Sequence, residues 1–305
     1  MACRRVGVCS AGFVLMFFVS HVSFFIYVGI FCNYLLIDQV TFSVRAFYAI
    51  LWQFFWSMTV WCLITVVFSP LKIPSSRYRF STPVNERLND VRTSRELEAI
   101  LVEFCLENQL KVTYHCREEE GCEPFNCVYF CPKCRAILPD RSMHCDSCYT
   151  CVLLCDHHCG FFGICVNHNN IKALHLLLFY VCCIGLTTLC TVTPHLRTFW
   201  LQALKLGGPS VPNILFAVSC TSLTVLNLGL CATTAAAGVT LGYMSRQTAK
   251  NQPCVKFYCE RNVYDLGSWK LNWKQYFGTN PLLWLFPIHT TPGDGYSFPV
   301  NPTDH

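Results

Sequence analysis

The chain has 305 residues, of which 53% are hydrophobic and 13% charged, with a net charge of +5. That is too apolar for an ordinary soluble domain of this length, so composition points to a membrane protein, with the lipid bilayer as its solvent and no nucleic-acid partner. The excess of Lys and Arg is mostly a topology signal, and it also suits anionic headgroups or a phosphate-bearing ligand near the membrane surface.

A bilayer crossing takes roughly 20 apolar residues, and four segments are long enough: Gly12 to Ile37, Ala46 to Phe68, Ala173 to Thr193 and Ile214 to Tyr243. Arg4 and Arg5 precede the first of these as in a secretory signal, but the segment is too long for one and no small-residue cleavage site follows it closely. Only Arg45, Arg197 and Lys205 of the 23 Lys and Arg fall in the loops after the first and third segments. By the positive-inside rule, both termini and the loop from Ser69 to Lys172 face the cytosol. Four parts follow: residues 1–68, a first transmembrane pair; 69–172, a cytosolic loop; 173–243, a second pair; and 244–305, a cytosolic tail.

No internal repeat or low-complexity tract is apparent. Ser69 to Asp90, with Pro70, Pro74 and Pro83, reads as an irregular exit from the membrane. Thr93-Ser94-Arg95-Glu96 has the pattern of a capping box, and Leu97, Ile100, Leu101, Phe104 and Cys105 follow at helical spacing. A short amphipathic helix packed on the rest of the loop is expected here. From Cys131 to Cys165 the apolar content is too low for folding by burial alone. After the fourth segment the tail carries Arg246, Lys250, Lys256, Arg261, Lys270 and Lys274, then Trp284-Leu285-Phe286-Pro287.

Eleven of the 23 Cys lie between Cys116 and Cys165. On the cytosolic side such density points to metal or catalysis rather than disulfides. Cys131-Pro-Lys-Cys134 and Cys145-Asp-Ser-Cys148 are knuckles of the kind that present two thiolates to a tetrahedral zinc. His144, Cys151, Cys155, His157, His158, Cys159 and Cys165 are available to complete two sites, with residues left over. Enough ligands exist to saturate both ions, so the sites are read as structural. Cys116, Cys122 and Cys127 form no such knuckle.

Asp156, His157 and Cys159 also supply, within four residues, a carboxylate, an imidazole and a thiol. A free Cys thiol has a pKa near 8.5 and is mostly protonated at neutral pH. An imidazole oriented by a carboxylate can remove that proton. On spacing alone the same residues could equally be further zinc ligands and a solvated Asp.

Taken together, Cys131-x-x-Cys134, Arg141-x-x-His144-Cys145-x-x-Cys148-x-x-Cys151, Asp156-His157-His158-Cys159 and Cys165 resemble the cysteine-rich domain of the DHHC protein S-acyltransferases, the palmitoyltransferases. The tail run Asn262-Val-Tyr264-Asp265-Leu-Gly267, with Asn272-Trp273 and Phe277-Gly278, resembles that family's C-terminal motif. The resemblance implies an α-helical polytopic membrane protein, with four transmembrane helices and a cytosolic two-zinc cysteine-rich domain (about residues 129–170) between the second and third. It implies one structural zinc on Cys131, Cys134, His144 and Cys151 and a second on Cys145, Cys148, His158 and Cys165. Cys159 would be the acylated nucleophile, His157 its base and Asp156 the group that orients the base, leaving Cys155 without a role.

The implied reaction moves a long-chain acyl group, palmitoyl above all, from acyl-CoA through a Cys159 acyl-enzyme to cysteines of membrane-proximal proteins. The implied location is the endoplasmic reticulum or Golgi membrane. Basic residues such as Lys172 and Lys256 are candidates to meet CoA phosphates, with solvated surface charge as the plainer role. The chain departs from the family pattern in four places. Gly160-Phe161 replaces Pro-Trp, and Gly163-Ile164 replaces Asn-Asn. Gln247-Thr248-Ala249-Lys250 stands for Thr-Thr-x-Glu, and Ser69-Pro70-Leu71 for Asp-Pro-Gly. The alternative reading is a catalytically weak zinc-containing membrane adaptor that binds partner proteins; a RING-type ubiquitin ligase is disfavoured, because the ligands lack cross-brace order.

Overall fold

Long, predominantly apolar runs become long helices in the computed structural model, which describes residues 42–112, 115–117, 125–205, 214–252 and 262–301. Helix α1 (Phe42–Phe68) contains the segment expected from Ala46 to Phe68. The third and fourth expected segments lie within two further helices, Ile171–Lys205 and Ile214–Ala249. Each holds a stretch long and apolar enough to cross a membrane: Phe42–Phe68, Ile171–Thr198 and Thr221–Ala249. The segment from Gly12 to Ile37 lies outside the described residues.

The described residues divide into two units. A helical one runs to Thr65 and resumes at Ala173–Ser245, and the other joins Val66–Lys172 to the chain from Arg246 onward. Most residues of each span point outward within the helical unit. Hydroxyls of Thr59, Thr65, Thr187 and Thr188 donate to carbonyls four residues back, so they place no unsatisfied polar group on these surfaces. Helices are tied by Trp52 Nε1 to Thr188 Oγ1 at 3.0 Å and Trp200 Nε1 to Thr224 Oγ1 at 2.9 Å. A Cβ on Gly185 would overlap the Thr234 side chain, so the missing side chain is what permits that helix crossing.

The second unit begins with a 3-10 turn, Ser76–Tyr78, and helix α2 (Thr82–Asn89). The irregular exit expected there therefore contains a helix. Pro83 sits in its first turn, where the missing N–H costs nothing. Helix α3 (Ser94–Glu107) follows as expected, capped by Thr93 Oγ1, which accepts from Glu96 N at 3.2 Å. The Glu96 carboxylate accepts from Arg92 N at 3.1 Å, one residue earlier than in the standard box. Leu101, Phe104 and Cys105 of α3 form a core with Tyr78, Phe80, Val128 and Ile137. Buried Glu98 accepts the Val128 N–H at 3.1 Å.

Four two-stranded antiparallel hairpins follow. The first pairs β1 (His115–Arg117) with β2 (Phe125–Cys127). The next three pair β3 (Phe130–Cys131) with β4 (Ala136–Ile137), β5 (Met143–Cys145) with β6 (Thr150–Val152), and β7 (His157–Cys159) with β8 (Ile164–Val166). Their registers are the same: Cys131 faces Ala136, Cys145 faces Thr150 and Cys159 faces Ile164. The chain therefore does contain a repeat, of fourteen residues, which is hidden in the sequence because few positions share a residue type.

Helix α4 (Ile171–Lys205) and helix α5 (Ile214–Ala249) come next, and after them the tail folds back onto the hairpins of the second unit. Arg141 organises that contact. Its guanidinium donates to Asn251 Oδ1 (2.9 Å), Asn251 O (3.3 Å) and Tyr276 Oη (2.6 Å), and it lies over the rings of Tyr264, Tyr276 and Phe298. Tyr276 belongs to helix α6 (Trp269–Phe277). Asn272 is fully buried and satisfied by Leu266 N, Ala249 O and Asp265 Oδ1.

Candidate active site and metal centres

Equivalent positions in the last three hairpins show how the site is built. Cys131, Cys145 and Cys159 end the first strand of each; Cys134, Cys148 and Phe162 come three residues later. Arg135 (φ 50°), Tyr149 (φ 55°) and Gly163 (φ 65°) then share the left-handed conformation that closes the turn. In the first two turns the N–H of Cys134 and of Cys148 donates to the Sγ of Cys131 and of Cys145, each at 3.3 Å. In the third, the backbone amides of Phe161 and Phe162 lie close enough to Cys159 Sγ to favour its thiolate. The third hairpin is thus a zinc knuckle in backbone terms, with a ring where the second sulfur would be.

Successive strand residues point to opposite faces, and this sorts adjacent ligands. His144 pairs across its ladder with Cys151, and His158 pairs with Cys165. His144 Nδ1 lies 3.5, 3.2 and 3.9 Å from the sulfurs of Cys131, Cys134 and Cys151. His158 Nδ1 lies 3.4, 3.5 and 3.5 Å from those of Cys145, Cys148 and Cys165. A tetrahedral zinc with ordinary Zn–S and Zn–N bonds holds neighbouring ligands about 3.5–3.8 Å apart. These two clusters, whose donor atoms lie within 4.8 Å of one another, therefore have the dimensions of zinc cages. Burial and the Cys165 sulfur push the Cys148 thiol up to about 12. A cation is what would hold such sulfurs as thiolates. Each cage joins the turn of one hairpin to the strands of the next, so an ion in each would cross-link a segment with little apolar material.

On β7, His157 and Cys159 share the face opposite His158. His157 Nδ1 meets Asp156 Oδ2 at 2.7 Å, and the ring also hydrogen-bonds the Cys159 thiol. Asp156 is buried at 3% exposure, with its N–H donating to Val166 O at 2.9 Å. Burial acts to raise the Cys159 thiol pKa, but the His157 hydrogen bond, the Phe162 and Phe161 amides and the His157 charge outweigh it, and the net shift is downward. Phe161, directly beside the nucleophile candidate, is 79% exposed. A Cβ at Gly160 would meet nothing within 4 Å.

Other expectations resolve differently. Cys155 is buried, donates its N–H to Arg141 O at 3.1 Å and hydrogen-bonds the Cys165 thiol, so it packs against the second cage. Lys172 is neither a solvated charge nor open to a phosphate. It is buried, and its Nζ donates to Leu283 O (2.8 Å), Ile288 O (3.0 Å) and Thr290 Oγ1 (2.7 Å). Lys256 lies outside the described residues. Asn251, an αL residue at φ 48°, is a structural residue that spacing did not single out. Its lone sequence signal is its place two residues after the end of α5, where Asn commonly ends a helix.

Residues 125–255 match the model of the family described as DHHC palmitoyltransferase. The chain is 30% identical over 289 residues to "Palmitoyltransferase ZDHHC15A" of Danio rerio, covering 92% of this chain and 80% of that protein. It is 27% identical to human "Palmitoyltransferase ZDHHC15", covering 91% and 78%, and 27% identical to human "Palmitoyltransferase ZDHHC20", covering 98% and 78%.

Proposed function

Because this chain belongs to the DHHC palmitoyltransferase family and is a protein-cysteine S-palmitoyltransferase, we propose that Cys159 is its acylated nucleophile, His157 the base and Asp156 the residue that orients it. The observation that carries this assignment is the contact chain from Asp156, which immediately precedes β7, through His157 to Cys159 on one face of that strand. In the first half-reaction His157 takes the thiol proton and the sulfur attacks the thioester carbon of a fatty acyl-CoA. The carbon–sulfur bond to CoA breaks, and CoA leaves with the proton from His157. In the second, a protein cysteine gives its proton to His157 and attacks the acyl-Cys159 carbonyl, and Cys159 leaves as the free thiol. One thioester is exchanged for another each time, so neither step needs energy input.

Both metals are assigned as zinc, held by Cys131, Cys134, His144 and Cys151 and by Cys145, Cys148, His158 and Cys165. Zinc supplies cross-links worth on the order of 10 kcal/mol in small Cys/His domains. In this arrangement it fixes β7 rather than entering the reaction.

The topology assigned is four spans, with Gly12 to Ile37 as the first. Residues 69–172 and 244–305 are assigned to the cytosol together with both termini, in an endoplasmic reticulum or Golgi membrane. The positive-inside distribution of Lys and Arg supports it. A palmitoyl chain of about fourteen methylenes at about 0.8 kcal/mol each then gives the modified protein on the order of 10 kcal/mol of membrane attachment.

Metabolic labelling with an alkyne fatty acid tests the assignment. Hydroxylamine-sensitive label should appear on the natural chain and vanish in Cys159→Ser, with zinc content unchanged. Label of equal strength on Cys159→Ser would instead place the thioester elsewhere, for example on Cys3, Cys9, Cys254 or Cys259.

A further inference from the structure

The tail of the second unit turns several large apolar side chains outward. Leu282 is 81% exposed, Trp269 58%, Leu271 45% and Ile288 44%. Apolar residues scattered singly on a surface are normal, but several gathered on one substructure mark a face that meets something apolar. Here the substructure is α6 and the 3-10 turn Pro281–Leu283, joined by stacked Trp273, Phe277 and Trp284.

We propose that Trp269–Ile288 is a lipid-facing foot, seated in the headgroup–acyl boundary of the bilayer that the chain's own spans occupy, with an anionic phospholipid surface as its partner. Three observations fix the occupant. First, the foot is fastened to the start of a membrane span. Lys172, in the first turn of α4, donates to Leu283 O, Ile288 O and Thr290 Oγ1, and the span Ile171–Thr198 begins one residue before it. The outward leucine and isoleucine are therefore held where the chain enters the membrane.

Second, the charge is right for anionic headgroups. From Ser268 to Pro292 the sequence holds Lys270, Lys274 and three Trp and no carboxylate, the composition of an interfacial segment. Third, the turn can enter a poorly hydrated layer because its backbone is already paired. Leu282 N donates to Asn280 Oδ1, Leu283 N to Asn280 O, Trp284 N to Pro281 O and Phe286 N to Leu283 O. Trp284 Nε1 reaches Gly278 O at 2.8 Å and Thr290 Oγ1 reaches Phe277 O at 2.7 Å, which keeps the foot rigid.

The foot rests on the reading of Ile171–Thr198 as a span and does not depend on the transfer chemistry. Photocrosslinking in the full chain tests it, in nanodiscs of phosphatidylcholine with phosphatidylserine. Benzoylphenylalanine goes in at position 282, at Phe179 within the span, or at Tyr149 of the second knuckle, which is 76% exposed. Lipid adducts at 282 and 179, several-fold above those at 149, are expected. Lys270→Glu with Lys274→Glu should lower the adduct at 282 in the mixed nanodiscs and leave that at 179 unchanged. Adducts at 179 with none above the 149 level at 282 overturn the foot, and so does crosslinking of 282 to a protein in place of lipid. An adduct at 282 indifferent to phosphatidylserine and to the lysine changes overturns its anionic preference.

Discussion

His157 and His158 stand next to each other on β7 and face opposite sides of it, one toward Asp156 and Cys159, the other into a cage of three sulfurs. Equal side chains one peptide apart should therefore fail in opposite ways. His157→Gln is expected to lower acyl-enzyme formation by about 10²–10⁴-fold, the usual worth of a positioned base, while both metals and the melting temperature stay unchanged. His158→Gln is expected to lose one metal per chain and to melt earlier. Metal analysis, melting curves and single-turnover acylation read the two apart, and equal metal loss in both would refute the division. In the sequence, spacing left seven candidates for the last four ligand places. What sorts them is strand alternation, which takes effect only once His158 is known to pair with Cys165. The family pattern anticipated that division from matched residues without supplying its physical reason.

Hairpins are the elements that carry the site, and their turn chemistry explains one departure from the family pattern. Gly163 occupies the left-handed closing position at φ 65°. Asn, the family's residue there, and Gly are the two types that adopt this conformation most readily. The replacement therefore preserves the turn. Gly163→Asn should be tolerated, whereas Gly163→Val forces a β-branched residue into the left-handed region at a cost of about 1–3 kcal/mol. The expected result is a lower melting temperature and slower acylation of Cys159 for Val alone, since both cages lie outside this turn. Equal behaviour of the two variants would show that the turn is not held in this geometry. Helix α3 was legible from its cap and its apolar period. Helix α2 was not, because Pro70, Pro74 and Pro83 give the stretch the composition of a loop, although Ser81-Thr82-Pro83 is a start signal with proline in the permitted place. The fourteen-residue repeat escaped because it repeats backbone shape: Arg135, Tyr149 and Gly163 are chemically unlike and conformationally equivalent.

At the scale of the molecule, composition and charge distribution were enough to read out the three spans that the described helices contain, since a bilayer imposes length and apolarity on any sequence that crosses it. The union of loop and tail in one unit was not legible, because it depends on residues more than a hundred positions apart. Arg141 is its centre, a buried cation held by an amide, a phenol and three rings. Lysine cannot reproduce the planar fork or the stacking. Arg141→Lys should therefore loosen the tail, at a cost of about 3 kcal/mol or more for disturbing a buried charge network. Limited proteolysis should cut the variant between Asn251 and Tyr264 faster than the natural chain, with both metals retained. Unchanged cleavage would mean that Asn272 and its partners hold the tail without the arginine.

The ring of Phe162 has a consequence for the chemistry of the cell around it. Thiolates on two-cysteine turns capture zinc, and the two preceding turns are built to do so. At the same station Cys159 has a hydrocarbon for its turn neighbour, so an ion would find one turn sulfur there where the preceding turns offer two. By standing in for the second thiolate, Phe162 leaves this turn short of the four Cys and His ligands that gather at each of the two cages, on a backbone of the same shape.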